Sequence, residues 1–219
     1  MAWLVELSAD AKRGMRIDTD FEKFNGDDEL AAAASISLQL KMPLNREMKD
    51  ALPKTYRMLS ERKTPLEQFV AGRFGWAISQ TFKDMIDDFE PQVGLNQPEK
   101  NQFVPITLLR KNREPTGVPF YYWNCLNKVD AIIEEKSDVQ WRRFETYTGE
   151  PRYLLEFRTA PSIYAAPPTI YVDKSRISGR HVWWGDEHFS NRLFFSDEMK
   201  NNAESSGFKR FDYFHVIEI

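Results

Sequence analysis

A chain of 219 residues with 42% hydrophobic side chains is long enough to bury a sizeable core, and aromatics at 14%, spread along its whole length, argue against disorder. A formal net charge of −3 disfavours nucleic acid or an anionic membrane as the main partner. One cysteine, Cys125, excludes an internal disulfide; set among aromatic and apolar residues, it reads as a buried inert thiol in a reducing compartment.

In chain order, Trp3 to Leu7 predicts a first strand and Met15 to Thr19 a second. Met1 to Glu6 lacks the basic start and long apolar run of a signal peptide. No apolar run approaches the ~20 residues that span a bilayer, so a soluble, cytoplasmic protein without membrane contact is expected. Phe24-Asn-Gly-Asp-Asp28 predicts a turn. Leu30 to Ala34 can extend helically, but Ser35 to Met42 alternates polar and apolar residues strictly, which argues a half-buried strand. Thr55 to Leu59 alternates more weakly, between the punctuation of Pro53 and a solvated basic face at Arg57, Arg62 and Lys63.

The stretch from Pro65 to Leu109 organises the rest. Gly75-Trp-Ala-Ile78 is a short strand, and Ser79 stands where a hydroxyl accepts an orphan N–H of a helix's first turn. Phe82, Met85, Ile86 and Phe89 then repeat at i, i+3, i+4 and i+7, one apolar stripe of a helix, with Asp84, Asp87 and Asp88 pointing the other way. Pro91 stops the helix, and Phe103 to Leu109 supplies the next strand. The same plan returns at the C-terminus: Leu193-Phe-Phe195, Ser196 as cap, a helix with Met199 and Ala203, Gly207 as stop, then Phe211 to Ile219. Ile78-Ser-Gln-Thr-Phe-Lys83 aligns with Phe195-Ser-Asp-Glu-Met-Lys200, a likeness that cap chemistry alone accounts for.

Between the two units, Lys111-Asn-Arg-Glu-Pro-Thr-Gly-Val-Pro119 reads as a linker or an exposed turn, and a boundary placed there divides the chain into an N-terminal lobe, 1–112, and a C-terminal lobe, 113–219. Phe120 to Asn124 reads as a strand buried on both faces. Val129–Ile133, Val139–Phe144, Tyr153–Phe157, Thr169–Val172 and His181–Trp184 follow as strands, with a proline-rich surface crossing at 160–168 and a loop at 185–191. Strands dominate, so the expected fold is α+β: mainly antiparallel sheets, a few short capped helices, two strand–helix–strand units and two closely packed lobes.

Catalytic patterns are missing. His181, His188 and His215 are scattered, there is no HExxH, CxxC, G-x-S-x-G, Walker or dinucleotide motif, and no catalytic, metal or cofactor residues are assigned. Acid pairs are more frequent. Asp84, Asp87 and Asp88 crowd one helix, where a solvated polar face is the simpler reading, and Asp186 with Glu187 sits at a loop tip beside Trp183, Trp184, His188 and Phe189. Aromatic residues flanked by charge suit a protein-binding patch. Strand alternation sends Trp183 and Trp184 to opposite faces, so at least one of them belongs to the core.

Leu66-Glu-Gln-Phe-Val-Ala71, Gly75-Trp-Ala-Ile-Ser79, Phe89-Glu-Pro-Gln-Val93 and Gln102-Phe-Val-Pro-Ile106, continued by Tyr121-Tyr-Trp-Asn124, Gly179-Arg-His-Val-Trp183 and Phe194-Phe-Ser-Asp-Glu-Met199, resemble the eleventh immunity-protein family of bacterial polymorphic toxin systems. The likeness runs from about Pro65 to the C-terminus and departs at the polar loop Gly94–Asn101. It implies a cytoplasmic non-enzyme that neutralises a cognate toxin by binding it. If that toxin is a nuclease, clustered acids suit its basic cleft. On this reading the candidate contacts are Trp183, Trp184, Asp186, Glu187, His188, Asp84, Asp87 and Asp88. An enzyme with a carboxylate–histidine site assembled in space, acting on nucleotides or metabolites, is the competing reading, and a homodimer through the aromatic strands is the third.

Overall fold

The computed structural model describes residues 1–7, 17–19, 28–58, 68–70, 76–91, 99–145, 151–158, 167–185, 192–208 and 211–219. The fold is α+β, and the chain divides into a middle unit, Leu7–Leu126, and a terminal unit that joins Met1–Glu6 to Asn127–Ile219. Strand β1 (Ala2–Leu7) opens the terminal unit. The middle unit follows with β2 (Ile17–Thr19), α1 (Asp28–Leu40), α2 (Arg46–Ala51), β3 (Thr55–Met58), β4 (Gln68–Val70), β5 (Trp76–Ser79), α3 (Gln80–Phe89), β6 (Asn101–Leu109) and β7 (Phe120–Cys125). The terminal unit resumes with β8 (Lys128–Val129), β9 (Val139–Glu145), β10 (Pro151–Phe157), β11 (Tyr171–Val172), α4 (Lys174–Ile177), β12 (Val182–Gly185), β13 (Leu193–Ser196), α5 (Asp197–Ser205) and β14 (Phe211–Glu218).

Each unit holds one six-stranded sheet, in the order β2-β3-β6-β7-β5-β4 for the middle unit and β11-β14-β1-β13-β12-β8 for the terminal one; β9 and β10 form a separate two-stranded ribbon. Antiparallel pairs predominate, but β3–β6, β11–β14 and β12–β8 run parallel, so both large sheets are mixed. The middle core gathers around Tyr122 and Trp123, with the Trp123 ring edge-on to Phe82 at 6.0 Å. Tyr122 also donates its hydroxyl to the Pro53 carbonyl at 2.7 Å, and burial, then the neighbouring Tyr56, hold that phenol far above its ordinary pKa. In the terminal core Leu4, Trp183, Phe194 and Val216 pack together with Val139, Leu155 and Phe157 from the base of the ribbon.

Two expectations are corrected. Residues 35–40 are helical, within α1, and not a strand. Ala31, Ala34, Ser35 and Leu38 are all buried at the spacing of one helical stripe, while Ile36 is exposed. The alternating run is thus also read by a helix, and the preceding alanines, the best helix formers, decide the outcome. The division at 111–119 also moves. Those residues join β6 to β7, which pair antiparallel from Asn101↔Cys125 to Ile106↔Phe120, so the segment is a hairpin connection inside one sheet and the lobes 1–112 and 113–219 are not the units. Proline, glycine and charge serve a tight hairpin as well as a linker; Arg110 N–H donates to the Glu114 carbonyl at 2.7 Å, and Arg113 adopts φ 68°. The chain changes unit at 126–127 instead: Leu126 N–H donates to the Lys100 carbonyl at 2.8 Å, whereas the Asn127 side-chain amide donates to the Val182 carbonyl at 2.6 Å.

The two units share one plan, well beyond the cap. Strand order β3-β6-β7-β5-β4 in the middle unit matches β11-β14-β1-β13-β12 in the terminal one. Pair senses agree: parallel for β3–β6 and β11–β14, antiparallel for β7–β5 and β1–β13, antiparallel again for β5–β4 and β13–β12. Ser79 and Ser196 cap their helices by accepting Phe82 N–H at 3.2 Å and Met199 N–H at 3.1 Å. The next residue donates its N–H to the carbonyl just before the central strand, Gln80 to Pro119 at 3.1 Å and Asp197 to Met1 at 2.7 Å. From that strand Tyr121 donates back to the Gln80 side chain, and Trp3 to Asp197 Oδ1 at 2.7 Å. Lys83 lies over the Phe103 and Tyr121 rings at 4.9 and 5.9 Å and pairs with Asp87; Lys200 lies over Trp3 and Tyr213 at 4.7 and 5.2 Å and pairs with Glu204. The difference is connectivity, since β7 follows β6 directly whereas its counterpart β1 comes from the other end of the chain. Replacing either cap serine by alanine is expected to cost about 1 kcal/mol. Urea unfolding of Ser79→Ala and Ser196→Ala checks the equality of the two sites.

Candidate functional site

Helix α3 presents its acids as the 3.6-residue period requires. Phe82 and Ile86 are fully buried and Met85 nearly so, which turns Asp84 and Asp88 to solvent, while Asp87 is half-buried against Lys83. Asp84 accepts from the Gln80 side-chain amide at 2.6 Å. Two features of this helix work against its own stability. Asp84 and Asp88 stand at i and i+4, where like charges cost about 0.2–0.5 kcal/mol. Asp87 and Asp88 also sit in the last turn, which holds no basic residue, although the helix dipole favours cations there by about 0.3–1 kcal/mol.

The matching helix α5 offers an internal control. Its acids Asp197 and Glu198 lie in the first turn, where the dipole favours them. Aligned on the capping serines, Asn201 and Ser205 replace Asp84 and Asp88, whereas the structural Lys–acid pair recurs as Lys200–Glu204. The shared scaffold therefore demands Lys83 and Asp87 but neither Asp84 nor Asp88.

The second candidate patch is divided. Trp183 and Trp184 are each only 2% exposed, and Trp183 stacks on Phe194 with ring centres 5.6 Å apart and planes 7° from parallel. Both indoles are core, because β12 lies inside its sheet between β13 and β8 and is covered along its whole length. Neither presents surface to a partner. Asp186, Glu187 and His188 lie outside the described residues. Helix α3 belongs to the middle unit and β12 to the terminal one.

A groove of about 410 Å³ in the terminal unit is lined by Lys174, Arg180, His181, Ser196 and Glu198 among others. His181 Nδ1 lies 3.0 Å from Ser196 Oγ and 3.5 Å from Glu198 Oε2. A histidine that activates a serine uses its two ring nitrogens, one toward the nucleophile and one toward the acid. Here these two contacts fall on the same nitrogen, and Ser196 Oγ is already the helix cap, so the cluster closes a helix end. His215 packs edge-on against Trp3 at 5.3 Å. Among the described residues, no three His, Cys, Asp or Glu side chains stand together as a metal-ligand group.

Sequence reasoning missed two exposed aromatics, Trp141 and Tyr153, which stand 47% and 56% exposed on the β9–β10 ribbon. The available signal was their shared face once those two strands pair.

A family model described as the immunity protein family (Imm11) matches residues 15–217, which carries the likeness well in front of Pro65. No curated protein matches the chain.

Proposed function

The chain belongs to the immunity protein family (Imm11), and from that premise we propose that it neutralises one cognate toxin by binding it tightly and covering its active cleft, with the exposed face of α3 turned toward that cleft. The observation that carries the α3 assignment is the contrast between the two equivalent helices. Asp84 and Asp88 are absent from the scaffold's second copy and load α3 with like charge, so a partner is the simplest reason for them. A row of carboxylates on a rigid helix suits a basic cleft of the kind that binds a nucleic-acid backbone, with the acids standing in for phosphates. On this reading the toxin is a nuclease. The chain performs no chemistry of its own, and it acts in the cytoplasm of the cell that makes the toxin. Asp186, Glu187 and His188 remain candidates for a second contact, whereas Trp183 and Trp184 contribute by holding β12 in place.

Co-expression with its cognate toxin tests the reading. Growth should be restored when the two are produced together. Unabated toxicity in the presence of abundant, soluble chain would reject it.

A further inference from the structure

Strands β9 and β10 pair only with each other among the described residues, with Val139 opposite Phe157, Trp141 opposite Leu155 and Arg143 opposite Tyr153. Opposite residues share a face of a two-stranded ribbon. At the inner end of this face Val139, Phe157 and Leu155 are buried in the terminal core. Further out the same face leaves the core, and Trp141, Arg143 and Tyr153 stand in solvent. Single exposed apolar side chains are ordinary on a protein surface. Here, however, the two aromatic residues among the large exposed apolar side chains of the described residues fall on one face as diagonal cross-strand neighbours, with an arginine beside them.

The surrounding charges are already engaged. Glu134 accepts the Trp141 indole N–H at 2.8 Å, Glu156 pairs with Arg142 at 3.2 Å, and the Asp138 carboxylate accepts Thr169 N–H at 2.8 Å. Arg143 has no ion-pair partner among the described residues. Among the described residues its guanidinium is thus the charge of the patch without an opposite partner, and the complement it calls for is a carboxylate. The Trp141 indole, tied to Glu134, is held in one orientation before any partner arrives, which lowers the ordering cost of binding. Tryptophan, tyrosine and arginine are the residue types that dominate binding energy at protein interfaces.

Taking the toxin binding proposed above as given, we infer that the outer half of the β9–β10 ribbon, through Trp141, Arg143 and Tyr153, anchors the toxin by an apolar surface edged with an acidic side chain. The ribbon acts by desolvated contact and governs how slowly the complex comes apart.

Association and dissociation rates of the full chain with the purified domain of the toxin it neutralises test the assignment. Trp141→Ala, Tyr153→Ala and Arg143→Glu are each expected to raise the dissociation rate by about tenfold or more, with the association rate of the two aromatic variants, which change no charge, altered by less than about threefold. Unchanged melting temperatures for Trp141→Ala and Arg143→Glu establish that the loss is one of contact. Wild-type dissociation in all three variants would overturn the ribbon assignment and leave the neutralisation reading standing. A wild-type chain that fails to bind the toxin would overturn both. Concentration-dependent dimerisation of the free chain, abolished by Trp141→Ala, would give the patch to a second copy of this chain instead.

Discussion

Removing residues 1–6 is expected to unfold the terminal unit while the middle unit stays folded. Those residues form nearly all of β1, which lies between β14 and β13 in the middle of its sheet. Ala2 and Leu4 are 0% exposed and Val5 is 2% exposed. Burying a leucine or valine side chain contributes roughly 1.5–3 kcal/mol each. The deletion also strips the hydrogen-bonding partner from one edge of β13 and of β14, and it removes the ring beneath Lys200 and the indole that bonds Asp197. Against a typical total of about 5–15 kcal/mol for a folded domain, that loss is decisive for one unit. Hydrogen exchange read by mass spectrometry should show β13 and β14 losing protection while β6 and β7 keep theirs. The shared plan supplies the rescue. In the middle unit a short hairpin joins β6 to β7, and in the terminal unit the Met1 amino nitrogen lies 3.4 Å from Glu218 Oε1 at the end of β14. Residues 1–6 moved behind Ile219 through a short Gly/Ser linker should therefore restore protection of β13 and β14. Equal loss in both units on deletion, or an unfolded permuted chain, would contradict the equivalence of β1 and β7.

The second large effect separates function from stability. Asp84→Asn with Asp88→Ser gives α3 the residues that α5 carries at the same places. Removal of the i,i+4 repulsion and of an acid from the last turn should raise stability by about 0.5–1 kcal/mol. The same double variant should bind the toxin about tenfold more slowly at low salt, because two charges that draw the partners together are gone. The difference from wild type should shrink as salt screens it. Stopped-flow association together with a urea curve on one preparation reads both effects. An unchanged association rate would remove α3 from the interface, and a lower stability would refute the claim that these acids strain the helix.

Local signals were legible in the sequence, and pairings between distant strands were not. Ser79 and Ser196, the stripe Phe82–Met85–Ile86 and Gly207, which adopts φ 83°, each announce a helix boundary or face through chemistry within a few residues. Both capped units stand where that chemistry placed them. Helix α1 was misread because one run satisfied two periods. The short α2 and α4 passed unnoticed although Asn45 and Asp173 cap them, the latter with its carboxyl held below the ordinary range chiefly by hydrogen bonds from Ser175. The division at 111–119 failed because loop composition is blind to whether the flanking strands pair. Placing β1 between β13 and β14 requires a contact across 194 positions, Trp3 to Asp197, that no local pattern encodes. For the same reason one of Trp183 and Trp184 looked available while Trp141 and Tyr153 did not, since burial follows from the strands that lie alongside. The exposed Asp84 and Asp88 were legible as a face, but only the second helix distinguishes a recognition face from a merely solvated one.

Titrating a fixed amount of the cognate toxin's activity with the purified chain tests most directly whether this protein is a binding inhibitor. Activity should fall in proportion to added chain and vanish near an equimolar amount. Full toxin activity in a large excess of folded chain would contradict the account.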